Sequence, residues 1–213
     1  LNLIVLGAIW GLVNQADQAQ RTSILYAAQS IAAAVDAEFG KYIAQAEGLA
    51  RSSALLEENL DLFEAEARRQ FGPGADVWVL VSDVNGQQLL NTFAQRGEPL
   101  PRRHPLGLEA HQRALATGSI VVSDLFQGGV SKEWVVGIEV PIFKNGQPFR
   151  GLVVVMKAGE FLPLLSAGDI PRNWLVRIID GQGRYVARVP QGAVKVGQLA
   201  AQVELIPENV VIV

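Results

Sequence analysis

The sequence contains no cysteine and only two histidines, His104 and His111, in 213 residues. The first absence excludes disulfides, thiolate nucleophiles and Cys-type zinc sites. The second leaves little material for an imidazole relay or a metal centre, and Pro105 breaks any helix that would put both rings on one face. No basic run of five or more residues occurs. The net charge is −3 and the pI is near 5.5, which argues against a dedicated nucleic-acid binder. There is no Gly-x-x-x-x-Gly-Lys loop and no Gly-x-Ser-x-Gly elbow, so nothing cradles a nucleotide phosphate or presents a serine nucleophile. No apolar run reaches the roughly 20 residues that a membrane-spanning helix needs. Intrinsic disorder is excluded too, because 49% of the residues are apolar and 18% charged.

What the chain does have begins with LNLIVLGAIWGLV, residues 1–13, and the first charge is Asp17. This run reads as the outer end of a transmembrane helix. A buried helix start and a clipped signal-peptide core are the alternatives. From residue 14 to 50 there is no proline, and Ile24, Ala28, Ile31, Val35, Phe39, Tyr42, Ala46 and Leu49 recur at helical spacing. A helix of nearly 50 residues, roughly 70 Å long, rarely belongs to one compact core. It is expected to act as a stalk. Ser53 is the expected N-cap of a second helix that ends at Gly72-Pro73-Gly74.

After residue 75 the period becomes strand-like. VWVLVSDVNGQQLLNTF reads as strand, turn and strand, with Asn85-Gly86 supplying the positive φ of a tight turn. Residues 97–105 form a loop with three prolines, and 106–117 a short helix ending at Gly118. Residues 119–126, 133–143 and 151–161 read as three further strands, with a second hairpin turn at Asn145-Gly146. WLVRIIDGQGRYVARV, from Trp174, then parallels WVLVSDVNGQQLLNTF, from Trp78. Each has a Trp, an apolar strand, Asp-x-x-Gly and a return strand, which suggests tandem copies of one module. The second copy is expected to be incomplete, since two strands alone leave open edges and half a core.

In this order the pieces resemble the extracytoplasmic double-Cache (PDC, PAS-like) sensor region of bacterial membrane sensor histidine kinases. The outgoing apolar helix, LARSSALLEENLDLFEAEAR, VWVLVSDVNGQQLLNT, GEPLPRR, VVSDLFQGGVSKEWVVGIEVPI, GLVVVMKAGEFLPLL and the restart NWLVRIIDGQGRYVARVP carry the resemblance together. It implies an α+β fold: a long N-terminal helix carrying a PAS-like five-stranded antiparallel sheet module, with the start of a second such module. The implied segments are a membrane helix end (1–13), stalk and second helix (14–72), membrane-distal module (73–168) and partial membrane-proximal module (169–213). The resemblance further implies a small-molecule ligand in the distal module, held between the sheet, residues 96–118 and the inner faces of strands 119–126 and 133–142. It places the chain at the bacterial inner membrane, attached through the N-terminal helix, with this segment in the periplasm or extracellular space. No catalytic residue, cofactor, metal or nucleic-acid partner is implied for this segment. A chemoreceptor or diguanylate cyclase output, or a spacer and dimerisation role, is the alternative to a kinase. The connection GEPLPRRHPLGLEAHQRAL lacks the Arg-x-Trp-Tyr run of the amino-acid-binding subset. The Ala-rich helix faces make a homodimer through residues 14–50 the expected assembly.

Six residues are candidates for ligand binding. Arg102 and Arg103 offer bidentate clamps for an anionic metabolite, or ion pairs to Glu98 or Glu109. Ser123 and Asp124 end an apolar strand, where the carboxylate is either a ligand acceptor or a turn-forming group. Phe126 and Trp134 are aromatic candidates for the pocket wall or the core.

Overall fold

Helix α1 runs unbroken from Asn2 to Ala50, about 74 Å at 1.5 Å per residue. The computed structural model describes residues 2–72, 76–166, 174–192 and 195–200, with side chains from Arg21 onward. The expected stripe sits on the domain only from Ile31, where Ile31, Val35, Tyr42, Ala46 and Leu49 are buried. Leu25 and Tyr26, in the turns just before Ile31, are 50% and 70% exposed. Among the described residues no helix is long and apolar enough to cross a membrane. The apolar run at 1–13 falls where only the backbone from residue 2 is described.

The second helix is two. Helix α2 spans Ser53–Leu56 and α3 spans Leu60–Phe71. Glu58 adopts a positive φ of 67° and breaks the helix. Asn59 then caps α3, its side chain accepting from the Leu62 amide at 3.1 Å. Ser53 is therefore not the cap, and the Ser52 hydroxyl donates instead to Glu66 at 2.5 Å.

The sheet contains β1 (Val77–Asp83), β2 (Gln88–Asn91), β3 (Val121–Val122), β4 (Phe126–Gln127), β5 (Trp134–Lys144) and β6 (Gln147–Lys157). Its order is β2-β1-β6-β5-β3, with β4 also on β5, and every pair is antiparallel. Helix α4 (Pro105–Thr117) covers one face and ends at Gly118 as expected. A 3₁₀ turn (Ala158–Phe161) leads into α5 (Leu162–Ser166). The expected third strand is split into β3 and β4, which makes six strands rather than five. The physical reason lies in the three residues between them. The Ser123 hydroxyl accepts from Gly137 N, the Asp124 carboxylate accepts from Gly181 N, and Leu125 N donates to Asp180. Ser123 stays on β5 through Ser123 N, which donates to Gly137 O at 2.9 Å, and the ladder lapses at Asp124 and Leu125, which bond to the second hairpin.

Strands β7 (Val176–Ile179) and β8 (Tyr185–Val189) form a separate two-stranded sheet. Their turn repeats the β1–β2 turn atom for atom. Asp83 Oδ1 accepts from the Asn85 and Gln87 amides at 2.9 and 2.8 Å. Asp180 Oδ1 accepts from the Gln182 and Arg184 amides at 3.0 and 2.7 Å. Gly86 and Gly183 take φ of 83° and 77° in the two copies, a region that favours glycine. Both hairpins also shift register at the same place, after Val81 and after Ile178. The spacing of aspartate and glycine thus encodes one turn geometry twice.

Alternation divides the sheet. Val77, Val79 and Val81, with Val136, Ile138 and Val140 and with Leu152, Val154 and Met156, face α1 in one large core. The opposite face carries Trp78, Leu80, Val135, Val153 and Val155 in a smaller cluster with Phe126. That second face holds the candidate site.

Candidate functional site

The face opposite α1 changes character along its length. Trp78 is paired across the sheet with Val155, Leu80 with Val153, and Ser82 with Gly151. The Trp78 end is apolar and the Ser82 end polar. Over the apolar end lies a small cavity of about 20 Å³ whose wall includes Trp78, Gln88, Asn91, Arg103, His104 and Phe126. The turn at 128–132 closes it. Lys132 N donates to Gly128 O and Gly128 N to Glu133 O, both at 2.9 Å. This volume holds about one water, so a larger molecule enters only when that turn moves.

Two ring contacts shape the wall. Trp78 meets Phe93 with centroids 4.7 Å apart, and His104 stacks on Phe126 at 5.5 Å and 17°. Asn91 donates to the Gln88 side-chain carbonyl at 2.9 Å. His104 also caps α4, with Nδ1 accepting from Leu106 N at 3.3 Å. That bond puts the neutral ring's proton on Nε2.

At the polar end sits a buried ion pair. Arg103 and Glu139 have side chains 3% and 0% exposed. The guanidinium meets Glu139 Oε2 at 3.2 Å and Oε1 in a closer contact, and donates to Gly107 O at 3.1 Å and weakly to Ser82 Oγ at 3.4 Å. His111 completes the cluster. Its Nε2 donates to Asp83 O at 2.9 Å, and its Nδ1 lies 3.8 Å from Glu139 Oε2 without a hydrogen bond. Gly151 makes room for that ring, since a Cβ there would lie 2.3 Å from His111 Nδ1.

The six candidates separate. Arg103 and Phe126 line the cavity. Arg102 turns outward and donates to Asn85 O at 2.6 Å, so the two arginines do not form a pair of clamps. Neither makes the expected ion pair to Glu98 or Glu109; Arg103 uses Glu139. Ser123 is buried and tied to Gly137 N at 2.9 Å. Asp124 binds the second hairpin, accepting from Gly181 N at 2.9 Å and Gln182 Nε2 at 3.4 Å. Asp180 reciprocates by accepting from Leu125 N at 3.1 Å. Trp134 packs with the α1 face, and its indole leaves no space for a side chain at Gly197. Residue reasoning missed Glu139 and the Gln88–Asn91 pair. Glu139 had a signal, as the lone charge inside WVVGIEVPIF.

A second hollow, about 300 Å³, opens between α3 and residues 89–100. It is an exposed groove whose charges already close on one another, Arg96 meeting Glu64 at 2.9 Å and Asp61 at 3.3 Å. Among the described residues no group of three or more His, Asp or Glu stands together to hold a metal.

His104 gives the site a pH signature. Burial, aided by the nearby Arg184 charge, holds its pKa below the usual imidazole value. A depressed folded value means the associated stability is complete above about pH 6.5 and is lost as pH falls through the lowered value. Protonation also ends the Nδ1 cap, worth roughly 0.5 kcal/mol for so long a bond. The melting temperature is expected to fall by about 1–2 °C more between pH 7 and 5 than in His104→Asn, which keeps a cap without titrating. Equal pH slopes in the two proteins would contradict this assignment.

The long helix, the antiparallel sheet and the second hairpin make up the α+β arrangement expected of a Cache (PDC)-like fold. No family model and no curated protein matches the chain. Solved structures do match in fold. The ligand-binding domain of Pseudomonas fluorescens chemoreceptor CtaA in complex with L-valine superposes with TM-score 0.62 at 13% identity, covering 79% of this chain and 74% of that one. The ligand-binding domain of Pseudomonas aeruginosa amino acid chemoreceptor PctC in complex with GABA gives 0.60 at 16%, covering 92% and 86%. That of Campylobacter jejuni chemoreceptor Tlp3 in complex with L-valine gives 0.60 at 16%, covering 83% and 74%.

Proposed function

We propose that this chain is the ligand-sensing region of a bacterial transmembrane signalling receptor and that the cavity over Trp78 is its recognition site. The observation that carries the reading is the cavity's position. It lies on the sheet face opposite the long helix, under a glycine-containing turn, walled by two aromatic residues and a few polar groups. A ligand that opens the turn at 128–132 moves Phe126, and Phe126 adjoins the Asp124–Asp180 clasp to the second hairpin. Binding therefore biases the packing of both modules and of α1, to the extent that the ligand prefers one arrangement. No catalytic step is assigned to this segment. The output domain in this reading is a histidine kinase, with a chemoreceptor signalling domain or a diguanylate cyclase as the alternative, and the chemoreceptor structures that share the fold support the chemoreceptor alternative. The apolar residues 1–13 and the continuous α1 support attachment to the inner membrane, with this segment outside it. Exposed Leu25 and Tyr26 support a homodimer along α1. Residues 73–168 form the distal module in this reading, and 169–213 begin a proximal one.

Thermal-shift screening against organic acids, amines, amides and sugars tests the reading. One chemical class at about 100 times its Kd is expected to raise the melting temperature by roughly 5–10 °C, an effect lost in Trp78→Ala. A flat response to every class would favour a spacer or dimerisation role.

A further inference from the structure

We propose that this pocket selects an uncharged polar ligand, one with amide, hydroxyl or ring-nitrogen groups on a flat or apolar body. The inference rests on the reading of the cavity as the sensory site, and adds the ligand's chemical class. Its basis is the charge state of the wall. The buried charges at the site are one guanidinium and one carboxylate, and they are already bonded to each other. Both terminal nitrogens of Arg103 are engaged, by Glu139, Gly107 O and Ser82. No parallel pair of N–H groups is left for an incoming carboxylate or phosphate.

A ligand anion therefore gains a two-bond seat on the terminal nitrogens of Arg103 only by displacing Glu139. The displaced carboxylate, wholly buried, would keep only His111 Nδ1 nearby, at 3.8 Å. A ligand ammonium has the mirror problem, because taking Glu139 strands a guanidinium that is 3% exposed. A zwitterion must do both at once. Stranding a desolvated charge costs more than a new bond of the same kind returns. Uncharged groups meet no such penalty. The Gln88–Asn91 amide pair and neutral His104 are uncharged polar partners in the wall, and Trp78 and Phe126 add aromatic surface to it. Lys132 and Arg184 are not in the cavity wall; they bond to backbone carbonyls, Lys132 to Gly129 O at 2.6 Å and Arg184 to Leu125 O at 3.5 Å.

The test is a matched-charge titration of the full chain by thermal shift and calorimetry. Nicotinamide is compared with nicotinate, and isovaleramide with isovalerate, isopentylamine and L-valine. Glycerol, uracil and D-glucose extend the uncharged set. A rise in melting temperature confined to uncharged probes, and lost in Trp78→Ala, is the expected result. A Trp78-dependent rise with nicotinate, isovalerate, isopentylamine or L-valine, equal to or above that of the uncharged partner, overturns the proposal. No rise with any probe counts against the pocket itself, and the proposal falls with it, so the two failures are distinct. A second arm uses Glu139→Gln, which releases Arg103 from its counter-charge. In that protein nicotinate should gain on nicotinamide by about ten- to a hundredfold, the worth of one charge-assisted bond. An unchanged preference in folded Glu139→Gln would show that the ion pair does not set selectivity. If the variant does not fold, the wild-type titration decides alone.

Discussion

Replacing Glu139 by alanine lowers the unfolding free energy of this chain by about 3–5 kcal/mol, because the partner guanidinium is left charged and buried. Against a total of roughly 5–15 kcal/mol for a typical domain, that is a large fraction. The melting temperature is expected to drop by about 6–20 °C. The carboxylate is wholly buried in the middle of β5, and Arg103 reaches it from the turn before α4. The pair fastens the 97–105 loop and the start of α4 to the sheet, and forms the polar end of the cavity face. A buried pair is weak as a stabiliser relative to an apolar substitute of the same volume, yet costly to halve. The double variant Arg103→Met with Glu139→Leu should therefore recover most of the loss, to within about 1–2 kcal/mol of wild type. Chemical denaturation of the three proteins measures this. A single variant that loses under about 1 kcal/mol would mean that water reaches Arg103 and that the cluster is not sealed.

Gly151→Ala is the second large effect. The backbone there is ordinary strand, so the penalty is one of space. A Cβ would stand 2.3 Å from His111 Nδ1 and 2.5 Å from its Cε1. The ring cannot retreat easily, being 1% exposed and tied to Asp83 O. Either α4 lifts from the sheet or the His111 bond breaks. Overpacking costs about 1–3 kcal/mol and the lost hydrogen bond about 1 kcal/mol more, a fall of roughly 4–16 °C in melting temperature. The effect is local, so Gly151→Ala with His111→Ala should be clearly non-additive, with the second change relieving the first. Strict additivity would show that α4 does not approach β6 through this ring.

The parts of the fold legible in the sequence are those decided locally. Asp83-x-Asn85-Gly86 and Asp180-x-x-Gly183 specify the same turn, and it forms twice. The α1 stripe from Ile31 to Leu49 follows helical period, and Gly118 stops α4. The split of the third strand was not legible, because Asp124 and Leu125 leave the ladder for partners 55 to 57 residues away. The break at Glu58 escaped for a different reason: a charged residue gives no warning of a positive φ. Trp134 shows the limit most clearly. Its alternation with Val136, Ile138 and Val140 was readable, but period 2 does not say which face receives the helix. That choice belongs to topology, and it places Trp134 with α1 while the cavity takes Val135. Glu139 lies between these cases. A lone carboxylate in an apolar strand announces a buried partner, but not that the partner is Arg103.

The most direct test of the central claim is an amide and indole ¹H–¹⁵N titration of the chain with whichever probe raises its melting temperature. The Trp78 indole and the amides of Phe126, Gly128 and Gly129 are expected to shift together and saturably, with Ala94 and Gly97 unmoved. Shifts centred on Ala94 and Gly97 in the groove beside α3, with the Trp78 indole silent, would contradict it.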